Sequence, residues 1–369
     1  MLEDLFTFVK NKKILCYGAG KYGRMVYAFL KQNNLEPVGF VVSTKSDGQS
    51  MNGIPIYAIE EVADDDALGF LITVSEKYID EIVSKVNASG KMEYFIVDEA
   101  IMSQIRNDIL SQNFELKIQV RNDKRCFILG SGPTLREQDL GLLSGEVVFS
   151  CSFCSLLAEY KDIKPLFYVT PALTNDGESE EYCLEKMRYL SENVTSPFII
   201  ADYNDYALIV NNDFFENRRV YFISQPHFMP WDERNREILD LTKDSPCILS
   251  SSIMMIKLAL YLGYKEIILL GLEHRVVEEQ KYNHAYDFEE LKRLGYSRLN
   301  EIMLMHNAKS ESSCFDQNAR EEFYYGLMRQ YHFLNVISKN NNVRIINATP
   351  LSNLKEFDYV EYTSIFSNE

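Results

Sequence analysis

The sequence is short of the features that assign a protein to a class at once. Its cations are outnumbered: 38 Lys and Arg stand against 54 Asp and Glu, a formal charge of −16. A nucleic-acid backbone needs clustered Lys and Arg, so nucleic acid is excluded as a partner, whereas a nucleotide needs only local donors. No apolar run reaches the roughly 18 residues of a membrane-spanning helix. The opening MLEDLFTFVKNKK has no apolar core of signal-peptide length. These absences lead us to expect a soluble, cytoplasmic chain. No basic amphipathic helix announces membrane contact, and peripheral association with the inner face of a membrane and homo-oligomerisation both stay open. The seven cysteines are odd in number and scattered, and the C-x-x-C of Cys151 and Cys154 has no second pair. Free buried thiols are therefore expected, not a disulfide framework or a zinc site. The five histidines spread from His227 to His332, and no strand end carries Asp-x-Asp. Asp64–Asp66 read as a solvated helix start. No metal and no cofactor are expected.

What is present is an ordinary globular composition, 46% apolar and 25% charged, in a chain of 369 residues, long enough for two domains. Apolar runs at 14–17, 37–42, 69–73 and 93–97 alternate with helical patterns at 21–33 and 78–86. A second series of strand-like runs falls at 126–129, 146–150, 165–169, 198–201, 219–223, 267–270 and 343–347. The clearest helices of that part are 252–262 and 321–339. Strands alternating with helices predict an α/β protein with parallel sheets. We expect two Rossmann-like domains, 1–98 and 123–369, joined by a linker helix in 99–122. Residues 275–320 are rich in charge, Tyr, His and Asn without clear periodicity, as a lid would be.

Two strand–glycine turn–helix units stand out. GAGKYG places Gly18, Gly20 and Gly23 in G-x-G-x-x-G spacing, after a strand and before a helix. That context suits a phosphate at a helix N-terminus. The acidic residue that would hold a ribose is missing at the end of the next strand, which reads FVVSTK. Close helix packing is the alternative use of these glycines. The second unit, CFILGSGPTLREQDLGLL, carries Gly130, Ser131, Gly132, Pro133 and Thr134. The glycines allow close approach of backbone, Pro133 stiffens the turn, and Ser131 and Thr134 offer hydroxyls or cap the helix expected at LREQ. Further polar residues end other strands: Ser152 in FSCSF, Thr170 and Pro171 in YVTPAL, and Ser250, Ser251 and Ser252 ahead of an apolar helix. Carboxyl ends of parallel strands are where open α/β sheets hold ligands. His227 reads as a loop residue and His332 as a core or surface residue of its helix. Tyr282 and Tyr286 flank His284 and suit either stacking on a ligand or packing.

The set GSGPTLREQDLGLL, FSCSF, FYVTPAL, SSSIMMIKLALYLGYKEIILLGLEH and NATPLSNL resembles the bacterial sialyltransferases of glycosyltransferase family 42, and equally the related domain-of-unknown-function 115 group that includes the motility accessory factors. The resemblance covers about 125–355. It implies a GT-A-like, single-Rossmann catalytic domain with a lid. It also implies metal-independent, inverting transfer of a sialic acid or related nonulosonic sugar from a CMP-activated donor to a surface-glycan acceptor. By the same resemblance Gly130, Ser131 and Gly132 take the nucleotide loop, with Ser131 where Asn is usual. Ser152 and Thr170 take two further Asn positions, Ser250–Ser252 a segment next to the donor, and Glu273 the acidic position after the strand. Arg275 and His284 fall near two tyrosines that assist the leaving phosphate, and His306 is the implied catalytic base. ILCYGAGKYGR, GFVVS and NGIPIYAIEEV resemble the small Rossmann-like domain at the front of bacterial sugar-modifying acyltransferases and some glycosyltransferases, which implies an accessory ligand or assembly role. Two other functions compete: a pterin diphosphokinase-like enzyme using ATP and magnesium, and a non-catalytic nucleotide-binding scaffold in glycan assembly.

Overall fold

The computed structural model describes residues 2–10, 12–44, 50–51, 53–62, 67–88, 90, 93–119, 125–174, 179–226, 231, 236–274, 284–312 and 317–367. The chain divides into two compact units. One is Met1–Ile109 with Asp205–Phe214, and the other is Leu110–Asn204 with Phe215–Glu369.

The first unit contains α1 (Leu2–Val9), α2 (Lys21–Gln32), α3 (Ile79–Ala88) and most of α4 (Glu99–Ser111). Its strands are β1 (Lys13–Tyr17), β2 (Gly39–Val42), β3 (Ser50–Met51), β4 (Ile54–Ala58), β5 (Leu68–Ile72) and β6 (Glu93–Ile96), in the sheet order β3-β4-β2-β1-β5-β6. Only the β3–β4 pairing is antiparallel. Leu15, Tyr17, Val41, Phe70 and Ile72 form the core against Ile82 and Val86 of α3. Strands flanked on both faces read as near-continuous apolar runs, which is why KILCY and LGFLI were visible in the sequence.

In the second unit the strands are β7 (Arg125–Leu129), β8 (Val148–Cys151), β9 (Phe167–Val169), β10 (Phe198–Asp202), β11 (Arg219–Ile223), β12 (Glu266–Leu270), β13 (Arg344–Asn347) and β14 (Asp358–Tyr359). All eight pair in parallel, in the order β11-β10-β9-β8-β7-β12-β13-β14. The chain starts in the middle, winds outward through β11, then returns to β12 beside β7. Both units are thus Rossmann-like, and the second reverses direction between β7 and β12. An aromatic row fixes register across its outer strands. Phe149 and Phe167 stack at 4.7 Å, Phe167 and Phe198 at 5.2 Å, and Tyr221 follows at 6.5 Å from Phe198.

The remaining helices are α5 (Glu115–Gln119), α6 (Tyr160–Ile163), α7 (Glu180–Asn193), α8 (Tyr206–Asn211), α9 (Ser251–Leu262), α10 (Glu289–Arg293), α11 (Ser297–Ser312) and α12 (Gln317–Asn340); α8 groups with the first unit. Helix α9 is buried from Ser252 to Tyr261, and its one charged side chain, Lys257, donates to Ser245 Oγ. It stops at Gly263, whose left-handed φ of 88° lets its N–H reach the Ala259 and Leu260 carbonyls.

Two expectations need correction. After the Gly-Ser-Gly-Pro turn there is no α-helix but two 3-10 turns, Pro133–Glu137 and Leu140–Leu143. The Asp139 side chain accepts the Gly141 N–H and starts the second turn afresh, and Leu140 and Leu143 bury together at the three-residue spacing of that geometry. The stretch read as aperiodic is mostly helical where it is described, in α10, α11 and the start of α12, with non-helical residues at 284–288 and 294–296. Leu299, Ile302 and Met303 of α11 are buried, but exposed Leu304 and Met305 blur the periodicity.

Candidate functional site

The reversal between β7 and β12 brings two loops side by side: Gly130–Thr134 after β7 and Gly271–His274 after β12. Gly130 N–H donates to Leu270 O at 2.8 Å and Gly132 N–H to Gly271 O at 3.0 Å, so the loops continue the sheet pairing beyond the strands. A β-carbon on Gly130 would stand 2.4 Å from Gly271 O. On Gly132 it would stand 1.4 Å from Glu273 Oε2. The room that the sequence reserved for a ligand's approach is therefore filled at Gly132 by a carboxylate of the protein. Glu273 is buried, and its Oε1 accepts the Thr134 N–H at 2.8 Å and the Thr134 hydroxyl. A negative group at the first turn of Pro133–Glu137 satisfies an N–H with no intrahelical partner.

From this junction hydrogen bonds run outward in two arms. In the first, Ser131 Oγ lies 3.3 Å from His284 Nδ1, and Ser131 O accepts the Ala285 N–H at 2.9 Å. The His284 ring stacks on Tyr286 at 5.0 Å with planes 5° apart, and Tyr286 OH lies 3.0 Å from Ser152 Oγ. Arg136 fastens this segment by donating to the His284 and Ala285 carbonyls. Ser152 follows β8 in the left-handed region, φ 56°, and its carbonyl accepts the Tyr168 hydroxyl. Burial lowers the His284 pKa, partly offset by a hydrogen bond to the Ser131 backbone, so its imidazole is neutral at pH 7. Burial raises that of Tyr286, which stays a protonated donor.

The second arm starts at His274. Its Nε2 lies 2.8 Å from Tyr331 OH, Tyr331 OH 2.6 Å from Ser252 Oγ, and Ser252 Oγ 2.6 Å from Ser250 Oγ. Ser250 caps α9 by accepting the Ser252 N–H. Ser251 is half-buried at the first position of that helix. Below the loops, Asn353 N–H donates to Glu273 O and Ser352 Oγ to Leu272 O, and Thr349 Oγ1 accepts the Leu272 N–H.

The structure thus joins Ser131, Gly132, Thr134, Ser152, Glu273 and His284 in one constellation, with Ser250 and Ser252 at its second arm. It leaves others aside. Thr170 is buried with its hydroxyl turned to Pro171 O, and Pro171 is exposed. His306 lies in α11, and its side chain is outside the described set. Arg275 and Tyr282 fall outside the described residues, as do His227 and Asp64–Asp66. His332 pairs with Glu356 at the surface at 3.1 Å. The sequence gives no role to Tyr331, Arg136 or Tyr168; Tyr331 and Arg136 lie far along the chain from what they touch. Six free cysteines are described, five of them buried. Among the described residues no three His, Cys, Asp or Glu side chains are grouped to hold a metal ion, and no helix is long and apolar enough to cross a membrane.

The turn of the first unit is built differently. Gly18 has a left-handed φ of 113°, and a β-carbon on Gly23 would stand 1.8 Å from Gly18 O. These two glycines let α2 close onto its own loop. Gly20, the N-cap of α2, has nothing within 4 Å of its β-carbon position. At the end of β2, Ser43 Oγ lies 3.1 Å from Tyr17 OH and accepts from Lys85 Nζ at 3.2 Å.

The fold and site define an open, doubly wound α/β unit with polar loops at its switch point, preceded by a smaller α/β unit. A family model described as C2185-like, N-terminal, matches residues 10–97. No curated protein matches the chain. Among solved structures the chain is similar to the sialyltransferase CstII from Campylobacter jejuni in complex with a substrate analogue, cytidine-5'-monophosphate. That similarity amounts to 16% identity over 65% of this chain and 86% of that one, with a TM-score of 0.37.

Proposed function

We propose that the second unit is a sialyltransferase-like glycosyltransferase that moves a sialic acid or related nonulosonic sugar from a CMP-activated donor to a bacterial surface glycan. One observation carries this reading: the Gly130–Thr134 and Gly271–His274 loops meet at the switch point of an all-parallel sheet, with serine, tyrosine and histidine side chains gathered around them. Ligands of open α/β sheets bind at that place. The motifs GSGPTL and LYLGYKEIILLG support the sialyltransferase class within it.

Transfer breaks the bond between the sugar's anomeric carbon and the CMP phosphate, and forms a bond to an acceptor hydroxyl oxygen. The hydroxyl proton needs a base and the departing phosphate needs donors. We assign the base to His306, and the phosphate to Ser131, His284 and Arg275. Neutral His284 beside Ser131 suits a group that donates from one ring nitrogen and accepts at the other. No step of this scheme requires a metal or a resident cofactor. The first unit serves as an accessory ligand-binding or assembly domain.

Incubation with CMP-sialic acid and other CMP-nonulosonates tests the proposal, with CMP release and sugar transfer as readouts. Acceptor-stimulated release is expected; His306→Ala should lower kcat about 100-fold or more with donor affinity little changed, whereas His284→Ala should lower kcat and weaken donor binding together. No release with any donor would overturn the enzymatic reading; CMP binding without turnover would make the chain a nucleotide-binding scaffold.

A further inference from the structure

His274 has no part in the scheme above, yet it is the residue on which the second arm ends. It follows Glu273 directly and stands in the left-handed region, φ 50°. A non-glycine residue in that region carries a local energetic cost that the surroundings must impose. The surroundings are visible. Asn353 binds the carbonyls on both sides, donating from its N–H to Glu273 O at 2.8 Å and from Nδ2 to His274 O at 3.4 Å. This backbone points the ring inward, edge-on to Tyr331 at 5.2 Å between centroids. Tyr331 is fully buried and packs its other side against Phe357.

The arm is a chain of single-proton hydroxyls, and that limits its polarity. Tyr331 OH has two neighbours at hydrogen-bond distance but one proton, and so does Ser252 Oγ. Along the bonds from His274 through Tyr331 and Ser252 to Ser250, only two continuous arrangements exist. With Nε2 bare, Tyr331 donates to His274, Ser252 to Tyr331 and Ser250 to Ser252, so the Ser250 proton is consumed and its oxygen is an acceptor. With Nε2 protonated every bond reverses: His274 donates to Tyr331, Tyr331 to Ser252 and Ser252 to Ser250. The Ser250 proton is then released to donate outward. Ser250 is half-buried at the first turn of α9, where unpaired N–H groups already favour an anion. Burial holds His274 at about 4, so the ring is neutral at pH 7 and its one proton must choose between Nδ1 and Nε2.

Resting on the CMP-donor reading above, we infer that His274 and Tyr331 are positioning residues. The Nε2–H tautomer of His274, passed through Tyr331 and Ser252, makes Ser250 a hydrogen-bond donor to the phosphate of the nucleotide. Neither residue touches the donor; both act through Ser250. The relay couples a loop at the switch point to the N-terminus of α9, two places that the sheet alone does not connect.

Calorimetric titration of the full chain with CMP and with cytidine tests this, using the wild type and the Tyr331→Phe, His274→Phe and His274→Gln variants. Tyr331→Phe and His274→Phe should weaken CMP binding about tenfold and leave cytidine binding unchanged, because only CMP carries the phosphate. His274→Gln should bind CMP nearly as wild type does, since its amide nitrogen donates from close to the place of Nε2. Histidine ¹⁵N spectra of the CMP complex should show His274 as the Nε2–H tautomer. Equal losses for CMP and cytidine, no loss in Tyr331→Phe, or an Nδ1–H His274 would each overturn the inference. A wild-type chain that binds neither probe overturns the donor reading instead. In that case the relay is judged on the free protein, where a His274 spectrum unmoved by Tyr331→Phe overturns it.

Discussion

The turns at Gly18–Gly23 and Gly130–Thr134 follow the first strand of their sheets, and each lies where the strand order reverses. The first has the familiar dinucleotide spacing and the second does not. Their construction runs the other way. Gly18 and Gly23 are consumed by packing, one through its backbone conformation and one through the approach of α2 to its own loop. Only Gly20 faces open space. In the second turn Gly132 admits Glu273, and the loop is tied to His284, Tyr286 and Ser152. Glycine spacing reports that something comes close; the occupant of the missing β-carbon's place decides what the turn is for.

Substitutions at these glycines sharpen the comparison. The largest effect is expected for Gly23→Ala, where the new methyl meets backbone that cannot swing aside. It should destabilise the first unit by about 3 kcal/mol or more, measured by denaturant unfolding. Gly132→Ala meets a side chain and should cost about 1–3 kcal/mol, as Glu273 is driven from Thr134. In the background of Glu273→Ala the same change should cost almost nothing, and a double-mutant cycle reads the difference as coupling. Additive costs would break the claim that Glu273 explains Gly132.

The two units also differ in histidine. All five lie in the second. In the unfolded chain His274 takes up a proton near pH 6.5, whereas burial holds it to about 4 in the fold. Between these values the unfolded state binds more protons, so stability falls as pH drops from about 6.5 to about 4 and no further below. His274→Gln should flatten that slope by up to about 3 kcal/mol across the window, read from unfolding midpoints at stepped pH. The smallest effect is expected at Gly20→Ala, under about 0.5 kcal/mol, because no atom stands in the way.

Much of the fold was legible because buried parallel strands leave apolar runs. KILCY, RCFIL and EIILL read directly as strands, and 252–262 as an apolar helix, observed as Ser251–Leu262. Helix α11 was not legible, since exposed Leu304 and Met305 interrupt its buried stripe. LREQ misled because helix-forming residues followed a capping turn, while Asp139 and Gly141 break the run into 3-10 pieces. The loop residues Ser131, Thr134 and Ser152 were legible from polar side chains at strand ends. The partners that give them meaning were not. Tyr331 stands 57 residues from His274 and 79 from Ser252, and Glu273 stands 139 from Thr134. Local pattern carries no record of such pairs.

Hydrogen–deuterium exchange with and without CMP tests most directly the claim that the nucleotide belongs to the second turn. Added CMP should slow amide exchange in 130–134 and at the start of α9 and leave 18–23 unchanged. Slowing confined to 18–23, or none in the second unit at saturating CMP, would contradict the account.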